Sequence, residues 1–384
     1  MKITHVEAIP LYIPVAIDVL GLNKSFGLSL CLVRIDTDDG MTGWGMTAIT
    51  EEEVIAEAVN AVAAPALIGE DPLNTEKLWN KLYWLLSPRG QTGYASHAIA
   101  AIDVALWDLK GKALGQPVWR LLGGARDKVP VYATFGFPFF DREQLAEAAK
   151  LWVSNGFTRL KMTVGDGALR ERDQPRPIRD VLAEDLQRVR AVREAVGDDV
   201  EIFIDGNCNL DLYHAAKFAN SVEECGISFF EEPVTQNDVR CMAQLRRQTS
   251  IPLACGQNEG LAFRFRDLML AEAVDVVQPN AVISGGFSQC VKIAGMASAF
   301  NIPFANGGAW PHHNMHLHAG LSNGWLVEYH YVAVMCLRQV FDDLVEPIDG
   351  WLTLPDRPGL GFEPNLERVA ALAKSPTSAG GGKA

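Results

Sequence analysis

The sequence predicts a parallel β/α barrel, and two observations carry that prediction. First, short strands of buried type end one after another in a polar residue: RLKMT with Lys161, EIFIDGN with Asp205, ISFFEEP with Glu231, PLACGQNE with Gln257, VDVVQPN with Asn280, IPFANGG with Asn306 and WLVEYH with Glu328. Second, from Asp205 onward these ends recur at intervals of 26, 26, 23, 26 and 22 residues. That is the length of one strand, one helix and two short loops. A barrel built from such units gathers its strand ends at one mouth, where barrel enzymes place their chemistry. Carboxylates among those ends imply a divalent cation.

The first 125 residues read differently. KITHVEAIPLYI and LCLVRIDTDDGMTGWG read as strands, with Asp39-Gly40 as a hairpin turn. Residues 51–125 read as helices, and SHAIAAIDVALWDLKGKALG places Ala98, Ile102, Ala105 and Leu109 on one face. LLGGARDKVP breaks the pattern and marks a domain junction. VPVYATFG then opens the barrel, and helical segments such as REQLAEAAKLWVSNG and EDLQRVRAVREAVG follow its strands. The step from Lys161 to Asp205 is 44 residues. Its excess, GDGALRERDQPRPIRD with Arg170, Arg172, Arg176 and Arg179, reads either as an anion-recruiting lid or as a solvated surface loop.

The 384 residues leave room for two domains, and 48% hydrophobic with 21% charged residues suits a soluble globular chain. A net charge of −13 disfavours nucleic acid and anionic membrane as partners. Seven scattered cysteines show no CxxC or metal-finger spacing, which suits a reducing compartment. The N-terminus carries Glu7, Pro10 and Pro14 and forms no apolar signal core, and no stretch is long enough to span a bilayer. The expected location is the cytoplasm.

The ordered set ALWDLKGKALGQPVWRLLGG, the KM-x-V-G strand, IDGN, FFEEP, QPN with SGGFSQ, and PDRPGLGFE resembles the mandelate racemase/muconate lactonizing enzyme-like branch of the enolase superfamily. The resemblance covers nearly the whole chain. It implies an α/β fold in which an α+β capping domain sits over a (β/α)7β modified TIM barrel. The boundaries expected are 1–125 for the N-terminal capping domain, 126–335 for the barrel, 336–374 for a C-terminal segment returning to the cap, and 375–384 for a disordered tail. It also implies Mg2+ at the ends of barrel strands three to five, and homo-oligomers. Chemistry in the family begins with abstraction of a proton α to a carboxylate, and the enediolate is stabilised by the metal.

Asp205 and Glu231 match the first two metal ligands, and hard oxygen donors are what Mg2+ takes. At the third position the family has Glu where this chain has Gln257. Glu259 shares a face with it if the segment is extended, so Glu259 is the expected third ligand, with Gln257 or Asn258 as the alternative. Glu232 is expected to pair with a neighbouring base.

The base positions depart from the family pattern. Lys-x-Lys is reduced to Lys161-Met162-Thr163, and the usual Asp and His of strands six and seven match Asn280 and Asn306. Amides are not bases near neutral pH. The replacement candidates are His312 and His313, expected in a loop at the mouth, while His316 and His318 read as helical. Lys161 is the other candidate. Glu328 is expected to bond the substrate carboxylate, to act as an acid, or to pair with a barrel lysine. Asn23 and Lys24, in an 18–29 loop of the cap, are expected near the distal end of the substrate. With Thr163, the amides Asn207, Asn258, Asn280 and Asn306 suit a polyol.

Three functions follow. A Mg2+-dependent dehydratase of a sugar acid ranks first, acting on a small-molecule carboxylate. A racemase or epimerase ranks lower, because no pair of bases is visible. A ligand-binding protein on an enzyme scaffold is the third, since fold does not settle function.

Overall fold

The computed structural model describes residues 1–90, 92–174 and 176–373. The predicted 375–384 tail lies outside the described residues.

Three antiparallel strands open the chain: β1 (Ile3–Val19), β2 (Leu22–Thr37) and β3 (Thr42–Ala48). Leu20 and Gly21, with φ of 54° and 73°, make the two-residue turn between β1 and β2. Two consecutive left-handed residues match the twist of a hairpin. Residues 18–29 are therefore not a loop. They continue two paired strands, with Lys24 opposite Ile17 and Phe26 opposite Val15. Asp39-Gly40 does turn the chain, since Gly40 N–H donates to the Thr37 carbonyl at 3.1 Å.

The helix Tyr94–Leu114 packs on this sheet, with Ala98, Ile102, Ala105 and Leu109 fully buried. The approach is close because β3 presents glycine. A Cβ at Gly45 would lie 2.1 Å from the Ala101 carbonyl oxygen.

The barrel is formed by β4 (Lys128–Gly136), β5 (Arg159–Thr163), β6 (Glu201–Asp205), β7 (Ile227–Glu231), β8 (Leu253–Cys255), β9 (Val276–Val277) and β10 (Val327–His330). Neighbours pair in parallel in that order, and β10 pairs in parallel with β4. The stretch around Phe304 fills the seventh place. Phe304 bridges Val277 and Gly324, Ala305 N–H donates to the Val277 carbonyl at 3.0 Å, and Asn306 N–H donates to the Leu326 carbonyl at 2.9 Å. The sheet thus closes as the predicted parallel barrel.

Strand periodicity of two decides what faces inward. Tyr132, Phe203, Phe229, Ala254, Val276, Ala305 and Leu326 form one apolar layer. The Phe203 and Phe229 rings stack at 4.1 Å, and Tyr132 meets Phe203 edge-on at 5.3 Å. Two residues further along the same strands come Thr134, Asp205, Glu231, Gln278, Gly307 and Glu328. The apolar layer is thus the floor on which the polar mouth stands.

Beyond the helix Tyr331–Val340, the chain runs back over both units. Trp351–Thr353 pairs antiparallel with the start of β4, and Leu360 N–H donates to Asp108 Oδ1 at 2.8 Å. Ala373 bridges Leu11 of β1.

Candidate active site

Lys161 is the centre of the mouth. Its side chain is 1% exposed, and Nζ donates to Glu231 Oε2 at 2.7 Å, Glu328 Oε1 at 2.9 Å and Asp205 Oδ2 at 3.1 Å. The ammonium also lies 5.4 Å from the Tyr132 ring centroid. Burial disfavours its charge, but the three carboxylates outweigh burial and hold its pKa well above the ordinary lysine value. Glu231 is pushed the other way. Burial raises it well above the carboxylate range, Asp205 and Glu328 add to the rise, and Lys161 opposes it. For Glu328, burial is outweighed chiefly by Lys161, with the Thr134 hydroxyl (2.5 Å) and the Ala309 N–H (2.7 Å), which together hold it low.

Above this cluster is a cavity of about 230 Å3. Barrel strands contribute Thr134, Thr163, Asp205, Glu328 and His330 to its wall, and the loops after them contribute Asn207, Gln257, Asn258, Gly308 and Ala309. The cap contributes Ile49 and His97. His97 Nδ1 is 2.5 Å from Thr47 Oγ1, and burial pushes the ring down to about 4.

Several expected site residues are elsewhere. Glu259 does not share a face with Gln257, because Glu259 N–H donates to the Gly256 carbonyl at 3.1 Å and the segment turns rather than extends. Its carboxylate accepts from Arg264 Nε at 2.7 Å and Asn237 Nδ2 at 3.1 Å, and it does not line the cavity. Glu232 meets amides instead of a base: it accepts from Asn237 Nδ2 (2.9 Å), Gln257 Nε2 (3.1 Å), Asn258 N–H (3.1 Å) and the Asn258 side chain.

His312 and His313 do not reach the mouth. They belong to the buried helix Pro311–Gly320, where His312 Nε2 bonds the Val345 carbonyl at 2.8 Å and His313 packs edge-on against Phe341 and Phe362. Asn280 is buried and spends Nδ2 on the carbonyls of Gly307, Gly308 and Ala309, at 2.8, 2.9 and 3.1 Å. Asn306 accepts from Glu328 N–H at 3.1 Å and donates to the Gly307 carbonyl at 2.8 Å. Both amides shape the wall without lining it. Asn23 and Lys24 are exposed on β2, outside the cavity lining. The arginine-rich loop reads as solvated: Arg170 pairs with Glu171 and Arg179 with Asp180, and none of its four arginines lines the cavity.

Sequence reasoning missed His330, Thr134, Gln278, His97 and Ile49. The first had a signal, since His330 follows Glu328 by two residues on one strand. The cap residues had none, because only the packing of cap on barrel brings them here.

Among the described residues, no three His, Cys, Asp or Glu side chains form a ready ligand cluster. Two carboxylates do fit a hard cation. Three carboxylates face one ammonium at the floor, so negative charge is in excess. Among the described residues, Glu231 Oε1 has no hydrogen-bond partner, although it is buried. Gly307 keeps the space beside it open, since a Cβ there would lie 2.7 Å from that oxygen. Gln257 Nε2 stands 3.5 Å from Asp205 Oδ2, and turning the amide to offer its neutral oxygen there gives up the bonds of Nε2 to Glu232 Oε2 (3.1 Å) and Asn207 Oδ1 (3.3 Å). Asp205, Glu231 and Gln257 are therefore the side chains that could hold Mg2+.

Residues 3–123 match the mandelate racemase / muconate lactonizing enzyme N-terminal domain, and residues 144–369 match the enolase C-terminal domain-like family. The chain is 31% identical over 342 residues to an arabinonate dehydratase of Saccharolobus solfataricus, covering 87% of this chain and 88% of that one. It is 32% identical over 339 residues to an L-talarate/galactarate dehydratase of Salmonella typhimurium, covering 87% and 80%. Among solved structures, an L-talarate dehydratase from a Polaromonas species, complexed with Mg and L-glucarate, superposes with a TM-score of 0.84 at 31% identity, covering 97% of this chain and 98% of that one. With both of its parts matched, the chain belongs to the mandelate racemase/muconate lactonizing enzyme family of the enolase superfamily.

Proposed function

We propose that the protein is a Mg2+-dependent lyase that dehydrates a sugar acid. The observation that carries this reading is the mouth itself: a lysine ringed by Asp205, Glu231 and Glu328 beneath a small cavity walled by amides, hydroxyls and imidazoles. The dehydratases among its relatives support it. We assign the cap to residues 1–125 with 336–374 and the barrel to 126–335. Seven unpaired cysteines suit a reducing compartment, and we place the enzyme in the cytoplasm, as a homo-oligomer.

In this reading Asp205 and Glu231 hold Mg2+, with Gln257 as a neutral third ligand. When bound, the ion supplies charge stabilisation for an enediolate. Lys161 faces the substrate carboxylate and is the proton acceptor. With Asp205 and Glu231 engaged by a cation, burial and the cation's own charge favour the neutral amine, against Glu328 and the substrate carboxylate. Glu328 stays ionised and anchors Lys161. Asn207, Asn258 and Thr163 bind hydroxyl groups and orient the chain so that the β-hydroxyl leaves. Racemisation fits less well, because it needs a base on each face of the α-carbon: His312, His313, Asn280 and Asn306 supply none at the cavity, and burial holds His97 and His330, which do line it, below the ordinary histidine value and so makes them weak bases.

The test is a screen of pentonates, hexonates and aldarates for 2-keto-3-deoxy acid formation, with Mg2+ or with chelator, for the native chain and Asp205→Asn. We expect product from a subset of these acids that vanishes with chelator and with the variant. Product formed equally by D205N would sink the metal assignment. No product from any acid, with Mg2+ binding measured, would favour the binding-protein reading.

A further inference from the structure

The mouth carries a side chain that the mechanism above does not use. His330 ends β10, two residues past Glu328, and lines the same cavity. Its ring lies 5.2 Å from the Phe137 ring. It also caps the helix Tyr331–Val340, whose Ala333 backbone N–H donates to His330 Nδ1 at 3.3 Å.

That contact decides the tautomer. A backbone amide can only donate, so Nδ1 must keep its lone pair, and the proton of the neutral ring belongs on Nε2. Protonating Nδ1 would set N–H against N–H. It would also put a positive charge at the positive end of a ten-residue helix. Among the described residues no hydrogen bond uses Nε2 of His330. The groups nearby pull in both directions: Glu328, Asp205 and the residue's own backbone favour an imidazolium, and Lys161 disfavours it. Burial is the largest influence, and it brings the ring below the ordinary histidine value.

We propose that His330 is a catalytic residue that stays neutral throughout the reaction and donates a hydrogen bond from Nε2–H to an oxygen of the bound sugar acid. Such a donor strengthens its bond as negative charge develops on that oxygen and transfers no proton. The substrate class rests on the dehydratase reading, whereas the tautomer rests only on the capping contact.

The test is 15N NMR of histidine-labelled protein between pH 5 and 9, with the His330 signals assigned by their loss in His330→Gln and His330→Asn. We expect the Nε2–H neutral tautomer over the whole range. The Nδ1–H tautomer, or an imidazolium appearing near pH 6, would overturn the proposal. This arm needs no turnover, so a failed dehydratase assay leaves it readable. The kinetic arm compares H330Q, which keeps a donor near the Nε2 position and cannot ionise, with H330A. We expect kcat/KM to fall about tenfold in H330Q and about a thousandfold in H330A, with the pH profile of H330Q matching the native one. H330Q as inactive as H330A, with one limb of the profile lost, would show proton transfer instead.

Discussion

Lys161 sets the energetics at the scale of single residues. Removing the partner of buried charges leaves those charges uncompensated, which costs about 3–5 kcal/mol. Lys161→Met is therefore expected to lower unfolding stability in denaturant by about that amount without Mg2+, and to abolish turnover. Turnover like that of the native enzyme would remove the lysine from the mechanism. Gln257 offers a test in the opposite direction. Gln257→Glu adds a carboxylate beside Asp205, so Mg2+ affinity measured by titration calorimetry is expected to rise about tenfold or more, since ligand charge tunes affinity at hard-cation sites. Unchanged affinity would place the third ligand elsewhere. At this scale the sequence is legible wherever a strand stays regular. Asp205, Glu231 and Glu328 fall at the mouth because each strand keeps its alternation to the end. Glu259 was misread because the turn after Gly256 breaks that alternation, and tight turns leave little trace in residue type.

The element that most changes the reading is the helix Pro311–Gly320. His312 and His313 are expected in a loop at the mouth and His316 and His318 in a helix, yet Pro311 sits at the first helical position, where proline favours a helix start, and the helix takes in all four. All four rings are buried. Burial pushes His312 down to about 4, His316 and His318 to about 3, and His313 well below the ordinary value. In the unfolded chain these rings titrate near 6.5. Between about pH 6.5 and 4 the unfolded state therefore binds more protons, and the stability these rings allow is present above 6.5 and lost as pH falls through that window. His316→Gln removes one such group while keeping a donor for the Leu360 carbonyl, which His316 Nε2 meets at 2.9 Å. Over that window its stability should fall less steeply with acid than the native chain's, by about 1.4 kcal/mol per pH unit. Parallel slopes in urea unfolding would show that His316 is not held neutral.

For the whole molecule, the parallel barrel with its antiparallel N-terminal sheet was legible because the strand-plus-helix interval repeats and the strand ends carry recognisable clusters. The cavity was only half legible. Its barrel wall follows from strand periodicity, whereas Ile49 and His97 arrive from the cap through packing across distant parts of the chain. The 18–29 stretch was misread for a related reason: pairing of β1 with β2 extends the strands through a region whose residues look loop-like alone. Cap and barrel together define the enclosed volume, so the substrate they accept is a property of the assembled mouth. On the dehydratase reading, this mouth removes the α-proton of a sugar acid and then eliminates water. Proton NMR in D2O, with enzyme, Mg2+ and a sugar acid, follows both events at once. Loss of the α-hydrogen signal together with appearance of a keto-acid is the predicted result. An α-hydrogen that persists across the panel while the acids bind would contradict it.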